Sequence, residues 1–168
     1  VKNYTRWFDL LNEQADQALC ISDHVAGELL TRLRPRPGAR PMAIGRIQAA
    51  GDIAASVPTF GVTPQVKRVL DRMYERPAIL MVGTVEPRKA YDVALLAFEH
   101  LWRSRPADAP DLVIAGKAGW KTEALQARIR PHPEQGRRLH WLSTVSDEAL
   151  CQLYEACRGV LMTSHGEG

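Results

Sequence analysis

Two adjacent cations, Arg88 and Lys89, end the loop GTVEPRK, which spans residues 83–89. Gly83 opens this loop directly after a short apolar run, and a glycine there lets the backbone approach a ligand closely. A helical pattern follows, and the helix N-terminus would add backbone N–H donors and the positive end of its dipole. A forked guanidinium, an ammonium and a helix N-terminus can together hold a diphosphate. The open alternative is that Arg88 and Lys89 are the exposed start of a helix.

The loop departs from the common phosphate-binding patterns. A Walker A loop has glycine where Arg88 stands and serine or threonine where Ala90 stands, which argues against phosphoryl transfer by a P-loop protein. No GxGxxG is present, so a dinucleotide-dependent dehydrogenase is unsupported. The histidines and cysteines lack zinc spacing, and we expect neither a metal ion nor another cofactor. The paired carboxylates of a glycosidase are not evident either.

A second loop places a carboxylate between two glycines. Glu167 stands between Gly166 and Gly168 at the end of the sequence. If this loop lies near Arg88 and Lys89, its carboxylate can accept hydrogen bonds from sugar hydroxyls. The alternative is an ordinary turn between a strand and a helix.

Buried strands and amphipathic helices alternate from residue 77 onward, which predicts an α/β fold with a parallel sheet and helices on both faces. The strands are predicted at residues 79–82, 112–115, 139–142 and 160–162. The helices between them should bury Ala94, Leu95, Phe98, Leu101 and Trp102, then Leu125 and Ile129, then Leu150, Leu153, Tyr154 and Cys157. Thr122 and Ser146 are the predicted N-caps. Ligands bind at the carboxyl ends of such strands, so the loops GTVEPRK, GKAGW, STVSD and TSHGEG should share one rim.

The first half has weaker patterns. A strand is predicted at residues 18–21, followed by a helix that carries Val25, Leu29 and Leu33. Prolines then interrupt the regular pattern before a second strand, which is predicted at residues 42–44. Residues 45–64 have no clean period and are interpreted as a connection, and a short helix follows at residues 66–74.

Composition and charge exclude several classes. The chain has 168 residues, 45% hydrophobic and 24% charged, as is ordinary for a soluble globular protein. A net charge of +3 is too small to indicate nucleic acid as a partner. No signal peptide or membrane-spanning run is present, and three cysteines without a framework indicate reduced thiols in the cytoplasm. The absence of an initiator Met suggests a piece of a longer protein.

One stretch is strongly basic. Five arginines and no acid lie between Thr31 and Arg46, and they are Arg32, Arg34, Arg36, Arg40 and Arg46. One interpretation is a solvated linker. The other is contact with an anionic membrane surface or an anionic acceptor.

The segments ILMVGTVEPRKAYDVALLAFEHLW, DLVIAGKAGWKTEALQARI and RRLHWLSTVSDEALCQLYEACRGVLMTSHGEG closely resemble the C-terminal domain of family 4 (group 1) glycosyltransferases. Members of that family are retaining enzymes with two Rossmann-like domains that face a cleft, the GT-B architecture. The resemblance implies a partial GT-B fold with three parts. Residues 1–40 would end the N-terminal acceptor-type domain, residues 41–76 would form the interdomain crossover and lead-in helix, and residues 77–168 would be the truncated nucleotide-sugar-binding domain.

The resemblance also implies roles for individual residues. Arg88 and Lys89 match the basic pair that binds the donor diphosphate and stabilises the leaving nucleotide. Glu167 is similar to the first glutamate of the family's E-x7-E motif, which contacts the donor sugar, while the second glutamate would lie beyond Gly168. Residues 142–145 match the segment whose backbone contacts the nucleotide base. The positions assigned to substrate binding on the four loops are Gly83, Thr84, Gly116, Leu142, Thr144, Val145 and Ser164.

The activity implied is transfer of a hexose, with mannose or glucose as candidates, from a GDP- or UDP-sugar to a saccharide or lipid-linked acceptor with retention. Resemblance of the GTVEPRK-type loop to enzymes of lipopolysaccharide and O-antigen assembly suggests cell-surface polysaccharide synthesis. The location would be cytoplasmic, with peripheral contact at the inner face of the membrane. The isolated chain should have no useful turnover. Two alternatives remain open: a nucleotide-sugar epimerase of the same fold, and a non-catalytic nucleotide-binding module.

Overall fold

A computed structural model describes residues 2–34, 37–38, 41–47 and 58–166, with side chains from residue 5 onward. The chain divides into two compact units between residues 51 and 52. The three-part organisation predicted from the sequence, 1–40, 41–76 and 77–168, stays a prediction.

The first unit contains two helices and two strands, α1 (Lys2–Gln14), β1 (Gln17–Cys20), α2 (Asp23–Arg32) and β2 (Ala43–Arg46). Its strands pair in parallel, with Gln17 opposite Ala43. The sequence analysis did not predict α1. Within the basic stretch, Arg36 and Arg40 lie outside the described residues, and Arg46 forms an ion pair with Asp23.

The second unit alternates helices and strands, as the sequence predicts from residue 77. Its elements are α3 (Pro64–Glu75), β3 (Ala78–Val82), α4 (Tyr91–Ser104), β4 (Asp111–Ala115), α5 (Glu123–Ile129), β5 (Leu139–Leu142), α6 (Asp147–Ala156) and β6 (Gly159–Val160). A short 3₁₀ turn, Pro87–Lys89, lies between β3 and α4. The strands form one parallel sheet in the order β5-β4-β3-β6.

Two hydrophobic layers cover the sheet, one on each face. Side chains alternate along β3 and β4, so that Met81 and Ile114 face one layer while Leu80 and Val113 face the other. The first layer comes from α4 and α5, and its buried members include Tyr91, Ala94, Leu95, Phe98, Trp102 and Ile129. The second layer comes from α3 and α6, and its buried members include Val66, Val69, Leu70, Met73, Ala149 and Leu153. The predicted α/β class, with helices on both faces of a parallel sheet, is confirmed.

The predicted helix caps have different outcomes. Ser146 caps α6, because its hydroxyl accepts a hydrogen bond from the Ala149 N–H at 3.1 Å. Thr122 precedes α5 as predicted but makes no capping bond. Its buried hydroxyl instead donates to the Gly119 carbonyl at 3.0 Å and fixes the loop before the helix.

The fourth strand is shorter than predicted. Residues 160–162 were expected to form it, but β6 ends at Val160 and Met162 is 66% exposed. Tyr154, predicted for the buried face of α6, is also exposed. Met162 follows β6, which among the described strands pairs only with β3, so no further strand covers that edge.

A buried carboxylate connects α3 to the sheet. Asp111, the first residue of β4, is 1% exposed. The Nε atoms of Arg72 and Arg76 lie 2.5 and 3.4 Å from its carboxylate oxygens, and His140 Nε2 lies 3.7 Å away. Burial by itself raises the pKa of Asp111, but His140 and Arg72 oppose it and the net pKa is lowered. The carboxylate is therefore charged in the folded protein above acidic pH.

Substitution Asp111→Asn should destabilise the second unit by roughly 2–3 kcal/mol at pH 7. The loss is below that of a fully buried pair because both arginines are about a third exposed. A lowered pKa means that the stabilisation is present above the unfolded-state pKa and is lost as pH falls through the folded one. The resistance of the wild-type protein to urea should therefore fall as the pH drops below about 4. The Asp111→Asn variant should lack this pH-dependent loss. Exposed Asp71→Asn is the control, and an equal loss in both variants would contradict this role of Asp111.

Candidate functional site

The basic loop follows β3 at the carboxyl edge of the sheet. Gly83 has φ +127°, a left-handed conformation that favours glycine. Arg88 and Lys89 lie in the 3₁₀ turn, and Ala90 follows with φ 49° before α4 begins at Tyr91. The two cations therefore precede the helix and are not part of its first turn.

Lys89 folds back over the start of the loop. A Cβ atom added at Gly83 would lie 3.1 Å from Lys89 Nζ, which places the ammonium against the Gly83 backbone. Arg88 is about half exposed, and its Nη1 donates to the Gly166 carbonyl at 2.7 Å. Its Nη2 lies 3.9 Å from a Glu86 carboxylate oxygen. The structure thus brings Gly83, Arg88 and Lys89 together.

Two side chains that the sequence analysis missed hold this loop in place. The Tyr91 hydroxyl donates to the Gly83 carbonyl at 2.9 Å. The Thr163 hydroxyl lies 2.7 Å from the Lys89 carbonyl and 3.0 Å from the Ala90 carbonyl. Neither contact has a local sequence signal, because each joins positions that only the folded sheet brings together.

The loop after β4 packs directly on the basic loop. The Gly83 N–H donates to Ala115 and the Val85 N–H donates to Lys117, both to carbonyls within 3.0 Å. A Cβ at Gly116 would lie 1.9 Å from the Gly83 carbonyl oxygen, so only glycine fits there. Gly116 is thus a position of close backbone contact between the two loops.

The predicted nucleotide-base segment follows β5. Leu142 is buried, and its carbonyl accepts the Gly116 N–H at 2.9 Å. Thr144 is exposed, while Val145 packs partly against the core of the α3 and α6 layer. Of this segment, Thr144 is therefore the most accessible side chain among the predicted positions.

The fourth loop closes the other side of the basic pair. The His165 N–H donates to the Arg88 carbonyl at 2.9 Å. Ser164 is half-buried and Thr84, across the rim on the β3 loop, is half-buried as well. Glu167, the predicted sugar contact, lies outside the described residues.

The four loops share one rim, as predicted. The strand order gives their sequence along it: residues 142–145, then 116–120, then 83–89, then 163–166. On the second of these loops Trp120 is 58% exposed, with Lys121 Nζ 5.4 Å from its ring centre. The exposed ring is available for stacking on a ligand.

Across 2–34, 37–38, 41–47 and 58–166, no helix has the length and apolarity needed to cross a bilayer. Over the same ranges, no three histidine, cysteine or acidic side chains cluster as metal ligands.

A comparison with protein families identifies the family to which these four loops belong. The family described as glycosyl transferases group 1 matches residues 63–168, which include all four loops. The chain belongs to the group 1 glycosyltransferases. This family assignment covers the whole of the sheet that carries the basic pair.

Individual relatives extend the similarity to the first unit. A serotype-specific mannosyltransferase WbdA of Escherichia coli is 34% identical over 99% of this chain, and another WbdA of that species is 33% identical over 99%. The chain spans about 21% of the length of each. The crystal structure of TarM matches the whole chain with a TM-score of 0.62 at 14% identity, over 28% of TarM. The fold class, a partial GT-B glycosyltransferase, is thereby confirmed.

Proposed function

We propose that the protein carrying this chain is a retaining glycosyltransferase of family 4 that transfers a hexose from a GDP- or UDP-sugar to an acceptor hydroxyl. Membership of the group 1 family supports sugar transfer. The similar Escherichia coli proteins are named as mannosyltransferases, which favours mannose over glucose as the hexose. Their serotype specificity favours a saccharide or lipid-linked acceptor in cell-surface polysaccharide or lipopolysaccharide synthesis. Such a protein would work in the cytoplasm, in peripheral contact with the inner face of the membrane.

The order of the loops along the rim carries the proposal. The segment assigned to the base, the basic pair assigned to the diphosphate and the segment leading to Glu167 occur in the order base, phosphates, sugar. Four neighbouring parallel strands place the outer two loops about 14 Å apart. An extended nucleotide sugar can therefore lie along the rim with each part against its own loop.

In the proposed mechanism the bond between the anomeric carbon and the β-phosphate oxygen breaks. The acceptor oxygen bonds to that carbon from the same face, and its proton passes to the departing phosphate. Negative charge accumulates on the β-phosphate, where Arg88 and Lys89 stabilise it. Donors positioned for such a charge contribute roughly 3–4 kcal/mol each in comparable oxyanion sites. Glu167 would orient the sugar.

The experiment combines a donor choice with a product analysis. The full-length protein is incubated with GDP-mannose or UDP-glucose, with and without a mannose-terminated oligosaccharide, and the new linkage is examined by NMR. We expect acceptor-dependent transfer with the anomeric configuration of the donor retained. An inverted linkage would contradict retention. A donor sugar that changes configuration without acceptor would instead establish an epimerase.

Removal of the Thr163 hydroxyl should weaken nucleotide binding by loosening the basic loop, because Thr163 contacts the loop backbone and is not assigned a contact to the nucleotide. Thr163→Val deletes the contact to the Lys89 and Ala90 carbonyls, and one net hydrogen bond of about 1 kcal/mol corresponds to about fivefold weaker nucleotide binding. Thr163→Ser keeps the hydroxyl and should restore affinity. Equal affinities for the valine variant and wild type, measured by calorimetry, would remove Thr163 from this positioning role.

A further inference from the structure

Another basic surface lies on the second unit, outside the loops of the rim. Arg68, Arg72 and Arg76 recur every four residues along α3 and its C-cap, and therefore share one helix face. Arg137 and Arg138 directly precede β5. The two groups border adjoining cavities of about 240 and 470 Å³, which share Arg72 and Gly136. We call this surface the α3–β5 groove.

The charges of the groove are incompletely balanced. Asp111 pairs with Arg72 and Arg76, and Glu134 makes a bidentate pair with Arg138 at 2.6 and 2.8 Å. Five arginines thus face two carboxylates, which leaves a net charge of +3 when His140 is neutral. In the part of the chain that the structure describes, Arg68 and Arg137 have no carboxylate oxygen within 4.0 Å, although the charge of Arg137 still helps to lower the pKa of Glu134.

The remaining lining of the groove is polar. Gln65 and Gln135 contribute amide groups to the smaller cavity. His140 also lines it and is 7% exposed, and its Nε2 makes no hydrogen bond within the described residues. This nitrogen lies 3.7 Å from the Asp111 carboxylate, beyond hydrogen-bond distance but close enough for electrostatic attraction. Apart from Leu142, the lining residues lie outside the four loops of the rim.

We propose that the α3–β5 groove binds a phosphate or diphosphate group at a site separate from the donor rim. Arginine forks match phosphate oxygens in geometry and charge, and Arg68 and Arg137 have their donors available. Arg72 and Arg76, which share the single carboxylate of Asp111, line the groove beside them. The phosphate belongs to a free phosphorylated compound or to the headgroup of a phospholipid.

The test uses the 168-residue chain and inorganic pyrophosphate as the probe. Because the rim also attracts diphosphate, binding is followed by NMR at two sets of backbone amides, Gly136 and Arg137 for the groove, and Gly83 and Lys89 for the rim. We expect the chemical shifts of both sets of amides to change as pyrophosphate is added. Arg68→Gln with Arg137→Gln should weaken the groove titration by at least about tenfold while the rim titration persists. Lys67→Gln with Arg103→Gln removes the same charge elsewhere and should leave both intact.

Two outcomes would overturn the proposal. In the first, the groove amides do not respond to pyrophosphate. In the second, the control pair weakens the groove titration as much as the Arg68→Gln, Arg137→Gln pair does, which would mean that pyrophosphate responds only to the overall charge.

A second arm identifies the source of the phosphate. Vesicles of phosphatidic acid in phosphatidylcholine are sedimented with the chain. Binding that needs Arg68 and Arg137 and that pyrophosphate displaces assigns the groove to a lipid headgroup. A pyrophosphate titration without vesicle binding assigns it to a free phosphorylated compound.

Discussion

Lys89→Ala in the full-length protein should lower kcat by about 10²–10³. The ammonium is held against the Gly83 backbone, where the proposed β-phosphate accumulates charge as the sugar leaves. Loss of a donor that acts mainly on this developing charge reduces kcat more than it raises KM. The measurement is initial rate against donor concentration with saturating acceptor.

The control for this prediction is another lysine of the same unit. Lys67 on α3 is exposed and pairs with Asp71 across one helical turn. Lys67→Ala removes the same charge away from the loop and should leave kcat unchanged. Wild-type turnover in Lys89→Ala would contradict the proposal that the basic pair stabilises the leaving diphosphate.

Gly116→Ala should destabilise the second unit by about 3 kcal/mol or more. The new Cβ would sit 1.9 Å from the Gly83 carbonyl oxygen, and a backbone atom cannot turn aside as a flexible side chain can. The two loops must separate, which also disturbs the bond from Trp141 Nε1 to the Gly116 carbonyl. Urea unfolding followed by circular dichroism measures the loss.

Gly159→Ala is the matched glycine control. Gly159 lies in the same sheet, and the nearest atom to an added Cβ is Ile79 Cδ1 at an ordinary 3.8 Å. This variant should unfold at nearly the wild-type urea concentration. If Gly116→Ala were equally stable, the close contact between the β3 and β4 loops would be contradicted.

Much of the second unit was predictable because its signals are local. The apolar runs of β3, β4 and β5 and the helical period of α4 lie within single segments, and each reappears within one or two residues. Ser146 was also predictable, since a cap bond forms within one turn of its helix. Parallel pairing of these segments then requires that their loops share one rim.

The features that were missed depend on the path of the folded backbone and not on residue type alone. Thr122 has the residue type of a cap, but its hydroxyl turns toward Gly119 instead. Met162 continues the apolar run that predicts the strand, yet β6 has only β3 as a partner among the described strands. The contacts of Tyr91 and Thr163 to the basic loop likewise follow from the sheet and from no local pattern.

The most direct test of the account is calorimetric titration of the full-length protein with GDP, UDP and ADP, beside an Arg88→Ala, Lys89→Ala variant. We expect that one nucleoside diphosphate binds and that the variant loses about 10²-fold in affinity, because two charge-assisted contacts disappear. Lys67→Ala with Arg103→Ala, which removes equal charge elsewhere, should bind as wild type does. Equal affinity of the Arg88→Ala, Lys89→Ala variant and wild type for every nucleotide would contradict the claim that this loop holds the donor diphosphate.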